Sequence, residues 1–260
     1  MLLPISDDNQ GRNTTPFVMY IIVAINVAVF LLQLSDDRFT LAYSAVPYKI
    51  THNVPVVPPG HGALPPGIEA NPRAMSVMPT RGVPQEPGPS FIWLTLLTSM
   101  FMHGGFMHIA GNMLYLWIFG DNIEDNFGHA KFLIFYLVCG FAASMAQILV
   151  DPDSPIPSLG ASGAIAGVLG AYLIMFPRNR VRTLLPLGFL WTTIELPAVV
   201  VLGFWIVIQI FSQYTAMASA RHASGGVAYM AHIGGFATGL VLCFLFRRRT
   251  NTYYPSGYGS

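Results

Sequence analysis

Six apolar segments alternate with polar or proline-rich stretches along the 260-residue chain. A helix that crosses a bilayer needs about 20 predominantly apolar residues, and the six segments approach or reach that length. The pattern therefore predicts an all-α membrane protein with six transmembrane helices. The predicted spans are residues 17–34, 106–119, 132–150, 158–176, 196–211 and 227–246.

Four stretches between these spans are assigned separately. Residues 91–102 are apolar but too short to cross, and we expect them to dip into the membrane or to lie at its surface. Residues 184–193 are apolar but interrupted by Pro186, so their structure stays open. Residues 120–129 are predicted to form a polar turn, and residues 212–226, which are rich in small side chains, a loop.

A proline-rich stretch separates the first two spans. Eleven of the chain's 20 prolines lie between Tyr43 and Phe91, which excludes a membrane helix and predicts a long loop, partly in polyproline II conformation. A partner-binding proline motif is the alternative. The predicted organisation is a tail at 1–16, a membrane domain at 17–249 with the loop insertion at about 44–90, and a tail at 250–260.

Composition agrees with a membrane protein. Hydrophobic residues make up 53% of the chain and charged residues only 10%, whereas a soluble domain has about 25% charged residues. No basic block suited to a phosphate backbone occurs, so nucleic acid is not an expected partner. No small-residue cleavage site follows the first span, which predicts a retained helix rather than a signal peptide.

The positions of lysine and arginine predict the orientation in the membrane. With six spans both termini lie on one side, which then holds eight of the 13 basic residues, against five on the other side. Four of those five lie in the proline-rich loop, where the rule counts least. The termini are therefore predicted to be cytoplasmic, and the membrane is predicted to be the inner membrane of a prokaryotic cell.

Ser162 lies near the outer end of the fourth predicted span, between Gly160 and Gly163. A serine in a membrane helix usually bonds a carbonyl of the preceding turn, so by itself it indicates no chemistry. The glycines change this, because small residues let a neighbouring helix or a ligand approach the backbone closely. Ser162 is therefore a candidate nucleophile whose partner must come from elsewhere in the chain.

His232 is the candidate base, near the start of the sixth span, which enters from the same side as the fourth. A histidine held against a serine activates it as a nucleophile; the alternative is a structural hydrogen bond between two helices. Small residues recur around His232 at four-residue spacing and predict a smooth face that packs on the glycines of the fourth span. These residues are Ala231, Gly235 and Gly239, facing Gly163 and Gly167.

His108 and Asn112 share one helix face because they are four residues apart. Two neutral donors that point to one place can stabilise an oxyanion. A structural bond network and a zinc site of His103, His108 and His232 are the alternatives. No carboxylate or cysteine is predicted near these histidines, so we expect no metal and no cofactor. Cys139 and Cys243 lie in apolar segments and are predicted to be small core residues.

The predicted segments place all twelve acidic residues in tails, loops or turns. No carboxylate is then available beside His232 at the outer face. If the chain is a hydrolase, we expect a serine–histidine dyad rather than a triad with an acid.

Three motifs together resemble the intramembrane serine proteases of the rhomboid family. The motifs are Gly160-Ala161-Ser162-Gly163, Ala231-His232 with Gly235, and His103 followed by His108 and Asn112. They occur in the family's order, and the resemblance extends over about residues 93–246. It implies a rhomboid-like bundle of six transmembrane helices with a long first extracytoplasmic loop, acting as an endopeptidase on transmembrane protein substrates within the lipid bilayer.

The resemblance also implies roles for single residues. Ser162 would be the nucleophile and His232 the general base, and the Ser162 backbone N–H with the His108 and Asn112 side chains would bind the oxyanion. His103 and Glu124 match positions that are structural in the family.

Two departures from the family pattern concern the site. Ala166 replaces an aromatic residue that packs on the histidine in many members, so the partner of the His232 ring is not identified. Trp93 is followed by Leu94 and not by the family's arginine.

Two other functions are compatible with the helix pattern. A non-proteolytic rhomboid-like protein would bind membrane helices without cutting them, and such proteins usually lack the serine or the histidine. A small transporter or channel would need charged residues at mid-membrane, and the predicted spans hold none. For a protease, substrates are expected to be helices weakened near the outer interface, with residues 212–226 as a mobile cap.

Overall fold

Helices dominate the part of the chain that the structure, a computed structural model, describes: residues 3–9, 11–57, 86–187, 190–218 and 228–248. The helices are α1 (Phe17–Ser35), α2 (Asp37–Tyr43), α3 (Pro47–Thr51), α4 (Thr95–Thr98), α5 (Phe106–Phe127), α6 (His129–Val150), α7 (Ser162–Met175), α8 (Ala198–Ala218) and α9 (Tyr229–Phe246). The strands are β1 (Leu3–Asp7), β2 (Arg180–Leu187) and β3 (Leu190–Pro197).

Four of these helices, α1, α6, α8 and α9, are long and apolar enough to cross a bilayer. They carry many exposed large apolar side chains, such as Leu31, Phe141, Phe211 and Leu245. Exposure of such a surface is unfavourable in water but not in lipid. The mostly helical architecture and these four helices agree with the predicted class of membrane protein.

The fourth predicted span is shorter as a helix than the sequence suggested. Residues 158–176 were predicted to be continuous, whereas α7 has 14 residues, Ser162–Met175. The residues before it are extended: Ser158 exchanges two backbone hydrogen bonds with Ala45, of 2.7 and 3.1 Å. The helix therefore begins at the candidate nucleophile itself.

Helix α7 lies at the centre of the bundle, with every residue from Gly163 to Tyr172 buried. Its closest neighbour is α9. A Cβ added at Gly239 would overlap the carbonyl oxygen of Gly167, and one added at Gly235 would overlap that of Gly163. The predicted smooth face of the sixth span and its packing on the fourth are thereby confirmed.

The second span continues through the stretch that was predicted to be a polar turn. Helix α5 runs to Phe127 and includes Asp121, Glu124 and Asp125, so the prediction that every acid lies outside the helices was wrong. The helix continues because these side chains have partners: Glu124 is fully buried and accepts from the backbone N–H groups of Val18 and Met19, at 2.9 and 2.7 Å. It thus satisfies free donors at the start of α1.

The ambiguous apolar stretch before the fifth span is a β-hairpin. Strands β2 and β3 pair antiparallel from Arg180 opposite Pro197 onwards, and side chains alternate, with Val181 and Thr183 buried and Arg182 exposed, the period of a strand. Helix α8 starts directly after β3 and continues to Ala218, so the part of the predicted cap at 212–218 is helical. Residues 219–226 of the predicted cap lie outside the described residues.

The segment predicted as a polar tail contributes β1, which pairs antiparallel with β2. Its last residue, Asp7, accepts hydrogen bonds from the Tyr172 hydroxyl at 2.6 Å and from the Asn122 side chain at 2.8 Å. Arg12 forms an ion pair with Asp121 at 2.7 Å. The N-terminal segment is therefore bonded to α5 and to the central helix α7.

The contact between α7 and α9 gives a first prediction. Gly239→Ala places a methyl group against the Gly167 backbone, which cannot turn away as a side chain could, and we expect a loss of about 1–3 kcal/mol in unfolding free energy. Gly203→Ala is the control, because nothing lies within 4 Å of its Cβ position. Thermal unfolding in detergent measures both; equal unfolding temperatures for the two variants would contradict the close contact.

The docking of β1 is predicted to weaken as pH rises. Burial raises the pKa of the Asp7 carboxyl from 3.8 to about 7, with the Asp121 charge adding to it and the Tyr172 and Asn122 hydrogen bonds opposing it. Above about pH 4 the detached strand releases a proton that the docked strand still holds. The free energy that favours docking therefore decreases as the pH rises from about 4 to about 7.

Amide exchange of Leu3–Asp7, corrected for intrinsic rates, measures this effect. Protection should be greater at about pH 5 than at about pH 8. The difference should vanish in Asp7→Asn, which cannot titrate. Equal protection of the wild-type strand at the two pH values would refute the prediction.

Candidate active site

Backbone geometry places Ser162 at the first position of α7. Gly160 has a φ of +130°, in the left-handed region that favours glycine, and its N–H donates to the Ser99 carbonyl at 2.8 Å. This turn ends the extended segment and starts the helix. Ala161 provides no side-chain cap, and the N–H groups of the first turn have no acceptor within the helix.

The structure brings Ser162 and His232 together. The distance from Ser162 Oγ to His232 Nε2 is 2.8 Å, a hydrogen bond between side chains 70 positions apart. Both residues lie next to the close contact of α7 and α9, since Gly163 follows Ser162 and Gly235 lies one turn after His232. The imidazole is buried, with 8% of the residue exposed, which leaves its ring few alternative positions.

The other nitrogen of the His232 ring is bonded to Gln209 on α8. The distance from Nδ1 to Gln209 Oε1 is 2.7 Å, and Gln209 Nε2 donates to the Trp205 carbonyl at 3.4 Å. The second bond orients the amide so that its oxygen faces the ring. Because that oxygen only accepts, the neutral ring carries its proton on Nδ1, and Nε2 presents a lone pair to the Ser162 hydroxyl.

Trp205 packs against the ring of His232. Their ring centroids are 5.7 Å apart with an angle of 36° between the planes. Ala166, where the sequence departs from the pattern that it resembles, is fully buried and too small for this contact. The indole of Trp205, on a different helix, thus supplies the aromatic contact to His232 that Ala166 cannot make.

His108 faces the turn before Ser162. Its Nδ1 accepts from the Gly104 backbone N–H at 3.2 Å, so in the neutral ring the proton lies on Nε2. A Cβ placed at Gly160 would lie 3.0 Å from His108 Nε2. The N–H donor of His108 therefore lies beside Gly160, two residues before the nucleophile.

Asn112, one turn further along α5, is a buried donor without an acceptor. The residue is 8% exposed, and its Nδ2 has no hydrogen-bond partner among the described residues. An unpaired buried amide costs about 1–3 kcal/mol. Such a cost is expected where a donor is held ready for a group that is bound only during a reaction.

A small cavity adjoins Ser162. It has a volume of about 20 Å³, which is sufficient for one water molecule. Its polar lining consists of Ser99, Ser144, Ser158 and Ser162, and its apolar lining includes Met100 and Ala231. The hydroxyl groups supply the partners that a buried water needs.

The two residues predicted to be structural have structural contacts. The backbone of His103 donates to Gln33 Oε1 at 2.8 Å and accepts from Gln33 Nε2 at 3.2 Å, so α1 holds the loop before α5. The His103 ring packs edge-on against His108, with centroids 5.1 Å apart. Glu124 lies at the far end of α5, where it caps α1 and bonds His129.

The zinc alternative has no support in the described part of the chain. There, no group of three or more histidine, cysteine or acidic side chains is arranged to hold a metal ion. Both ring nitrogens of His232 are already bonded, to Ser162 and Gln209.

Sequence reasoning missed Gln209 and Trp205. A signal was present, because Gln209 is a strongly polar residue inside the otherwise apolar fifth span, and such residues are functional candidates by default. Trp205 lies four positions earlier, on the same helix face. Which helix this face contacts cannot be obtained from periodicity alone.

These features define a helical integral membrane protein with a buried serine–histidine pair at one end of its central helix. Comparison with protein families gives a match to the Rhomboid domain over residues 90–249, more than half of the chain. The chain belongs to the rhomboid family, which includes intramembrane serine proteases.

Similar proteins occur in bacteria, plants and yeast. The chain is 40% identical to rhomboid protease GluP of Bacillus subtilis over 45% of this chain and 22% of that protein. It is 27% identical to RHOMBOID-like protein 4 of Arabidopsis thaliana over 91% of this chain and 54% of that protein. It is 29% identical to the mitochondrial Rhomboid protein 1 of Saccharomyces cerevisiae over 57% of this chain and 40% of that protein. The chain thus spans about half or less of these relatives.

Proposed function

We propose that the chain is an intramembrane serine endopeptidase in which Ser162 and His232 form the catalytic dyad. The observation that supports this most strongly is the 2.8 Å hydrogen bond between Ser162 Oγ and His232 Nε2. The proton on Nδ1 is donated to Gln209 Oε1. That arrangement leaves the Nε2 lone pair free to take the hydroxyl proton, which is the requirement for a general base.

Acylation follows from this arrangement. Ser162 Oγ attacks the carbonyl carbon of the scissile peptide while its proton passes to His232 Nε2. The resulting imidazolium then protonates the leaving amine, the C–N bond breaks, and an ester to Ser162 remains. With no carboxylate behind Nδ1 to stabilise the imidazolium, turnover should be slower than in a triad enzyme.

The tetrahedral oxyanion requires donors, and we propose three for it. They are its own backbone N–H at the start of α7, the Nε2–H of His108 and the amide of Asn112. Donors held ready in a water-poor site stabilise developing charge without reorganisation. A water molecule in the cavity beside Ser162 then supplies the oxygen that hydrolyses the ester, with His232 again as base.

The substrates would be transmembrane segments of other membrane proteins, within the lipid bilayer. A membrane helix satisfies all its backbone groups internally, so it must unwind locally before Ser162 can reach a carbonyl. Segments weakened near the interface by glycine, proline or polar residues are therefore the expected substrates. No metal, cofactor or nucleic acid takes part in this scheme.

We further propose a topology for the bundle. Helices α1, α5, α6, α7, α8 and α9 would all span the membrane, with α7 shielded from lipid by its neighbours and the long loop outside. The termini and the β-hairpin would lie in the cytoplasm, following the distribution of lysine and arginine, and the site near the outer face. One of the named relatives is mitochondrial, and the prokaryotic inner membrane stays a prediction from the sequence.

The first test removes the dyad. Ser162→Ala and His232→Ala should each abolish cleavage of a helix-destabilised transmembrane substrate by the purified protein, since nucleophile and base act as one unit. A fluorophosphonate probe should label the wild type and Ser35→Ala, which changes a serine at the end of α1, but not Ser162→Ala. Substrate binding without cleavage or labelling by the wild type would instead favour a non-proteolytic membrane-helix binder.

The second test removes an oxyanion donor. Asn112→Ala should lower kcat by about 10²–10³ because the developing charge loses one partner, with little change in KM. Asn126→Ala makes the same change at the opposite end of α5 and should leave kcat within a few-fold of the wild type. A normal kcat in Asn112→Ala would exclude Asn112 from the oxyanion site.

A further inference from the structure

We propose that Gln209 is a positioning residue that fixes the tautomer and the ring orientation of His232. The site would then be a line of three hydrogen-bonded side chains, Ser162, His232 and Gln209, with a neutral amide where a triad has an acid. This inference rests on the proposed function for its kinetic consequence, but the state of the ring can be measured without any activity.

The helix that carries Gln209 faces the site with one side only. Buried positions on α8 recur at helical spacing and include Ala198, Val201, Leu202 and Gln209, as an amphipathic pattern requires. Its opposite side exposes Val207, Ile210 and Phe211. Gln209 is therefore held on the inner face by the packing of the whole helix, and 6% of the residue is exposed.

A buried glutamine among apolar helices is costly unless its amide is bonded. Here both ends of the amide have partners: Oε1 lies 2.7 Å from His232 Nδ1, and Nε2 lies 3.4 Å from the Trp205 carbonyl. A leucine or methionine would fill the same volume without that cost. The amide is thus explained by the bond to His232 rather than by packing.

The bond decides which nitrogen can act as the base. An imidazole has two neutral tautomers, and only the Nδ1–H form presents a lone pair to Ser162. The acceptor at Nδ1 selects that form, and the Trp205 ring at 5.7 Å restricts rotation of the imidazole. Gln209 can orient the imidazolium that forms later but carries no charge to stabilise it, which separates its role from that of a triad acid.

The experiment compares four substitutions on α8. Gln209→Met keeps volume but removes the acceptor, Gln209→Glu keeps an oxygen at the same reach, and Gln213→Met makes the matched change one turn further along, away from the His232 ring nitrogens. Gln209→Leu accompanies Gln209→Met, so that a folding failure of one variant leaves the other. Each variant is measured for kcat, KM, thermal unfolding and the ¹⁵N spectrum of the His232 ring.

In the variants that lack the acceptor, we expect kcat to fall by about tenfold to a hundredfold, the range known for partners that orient metal-binding histidines, while KM stays near the wild-type value. The ring should lose its preference for the Nδ1–H tautomer. Gln209→Glu should retain that tautomer and recover most of kcat, and Gln213→Met should match the wild type in both measurements.

Three results would overturn the proposal. They are a wild-type tautomer and kcat in a folded Gln209→Met or Gln209→Leu protein, an equal loss in Gln213→Met, and an Nε2–H tautomer in the wild type. If the wild type cleaves no substrate, the proposed function fails. The ¹⁵N comparison of wild type, Gln209→Met and Gln209→Glu still decides whether Gln209 fixes the tautomer of the His232 ring.

Discussion

The site depends on how closely the backbones of α7 and α9 approach each other. Gly167 lies against Gly239 and Gly163 against Gly235, with no room for a methyl group at either contact. In lipid, apolar side chains gain little by leaving their surroundings, so close packing itself holds helices together. The same contact sets the chemistry, because Ser162 precedes Gly163 by one residue and His232 precedes Gly235 by one turn. A Cβ at Gly235 would overlap the Gly163 backbone directly beside this pair.

A second constraint is that buried polar groups need partners, and two sets of them lie at opposite ends of the bundle. At one end, the His232 ring bonds Ser162 through Nε2 and Gln209 through Nδ1. At the other, Glu124 caps α1 and Asp7 joins the N-terminal strand to the central helix. The sheet also lies at this second end, and its strand β3 leads directly into α8. Helix α8 carries Gln209, which supports His232 at the first end. The ends are thus mechanically connected through α7 and α8.

Prediction from the sequence succeeded where a pattern has one physical explanation. The long apolar runs that became α1, α6 and α9 cannot be anything but helices in lipid, and small residues every four positions on α9 predicted its tight face. The prediction failed where polar residues lie inside a helix and do not mark its end. Helix α5 continues past Asp121 because partners from the N-terminal segment satisfy it. Residues 184–187 and 190–193 lie in paired strands, and β1 supplies the neighbouring strand.

The sequence by itself determined the class of protein, the smooth helix faces and the candidate residues Ser162, His232, His108 and Asn112. These follow from hydrophobic length, from small-residue spacing and from motifs whose members lie close together in the chain. Only the tertiary structure decided which side chains support His232, because Gln209 and Trp205 reach it from another helix, 23 or more positions away. Helical periodicity states which residues share a face, but the partner of that face depends on how all the helices pack.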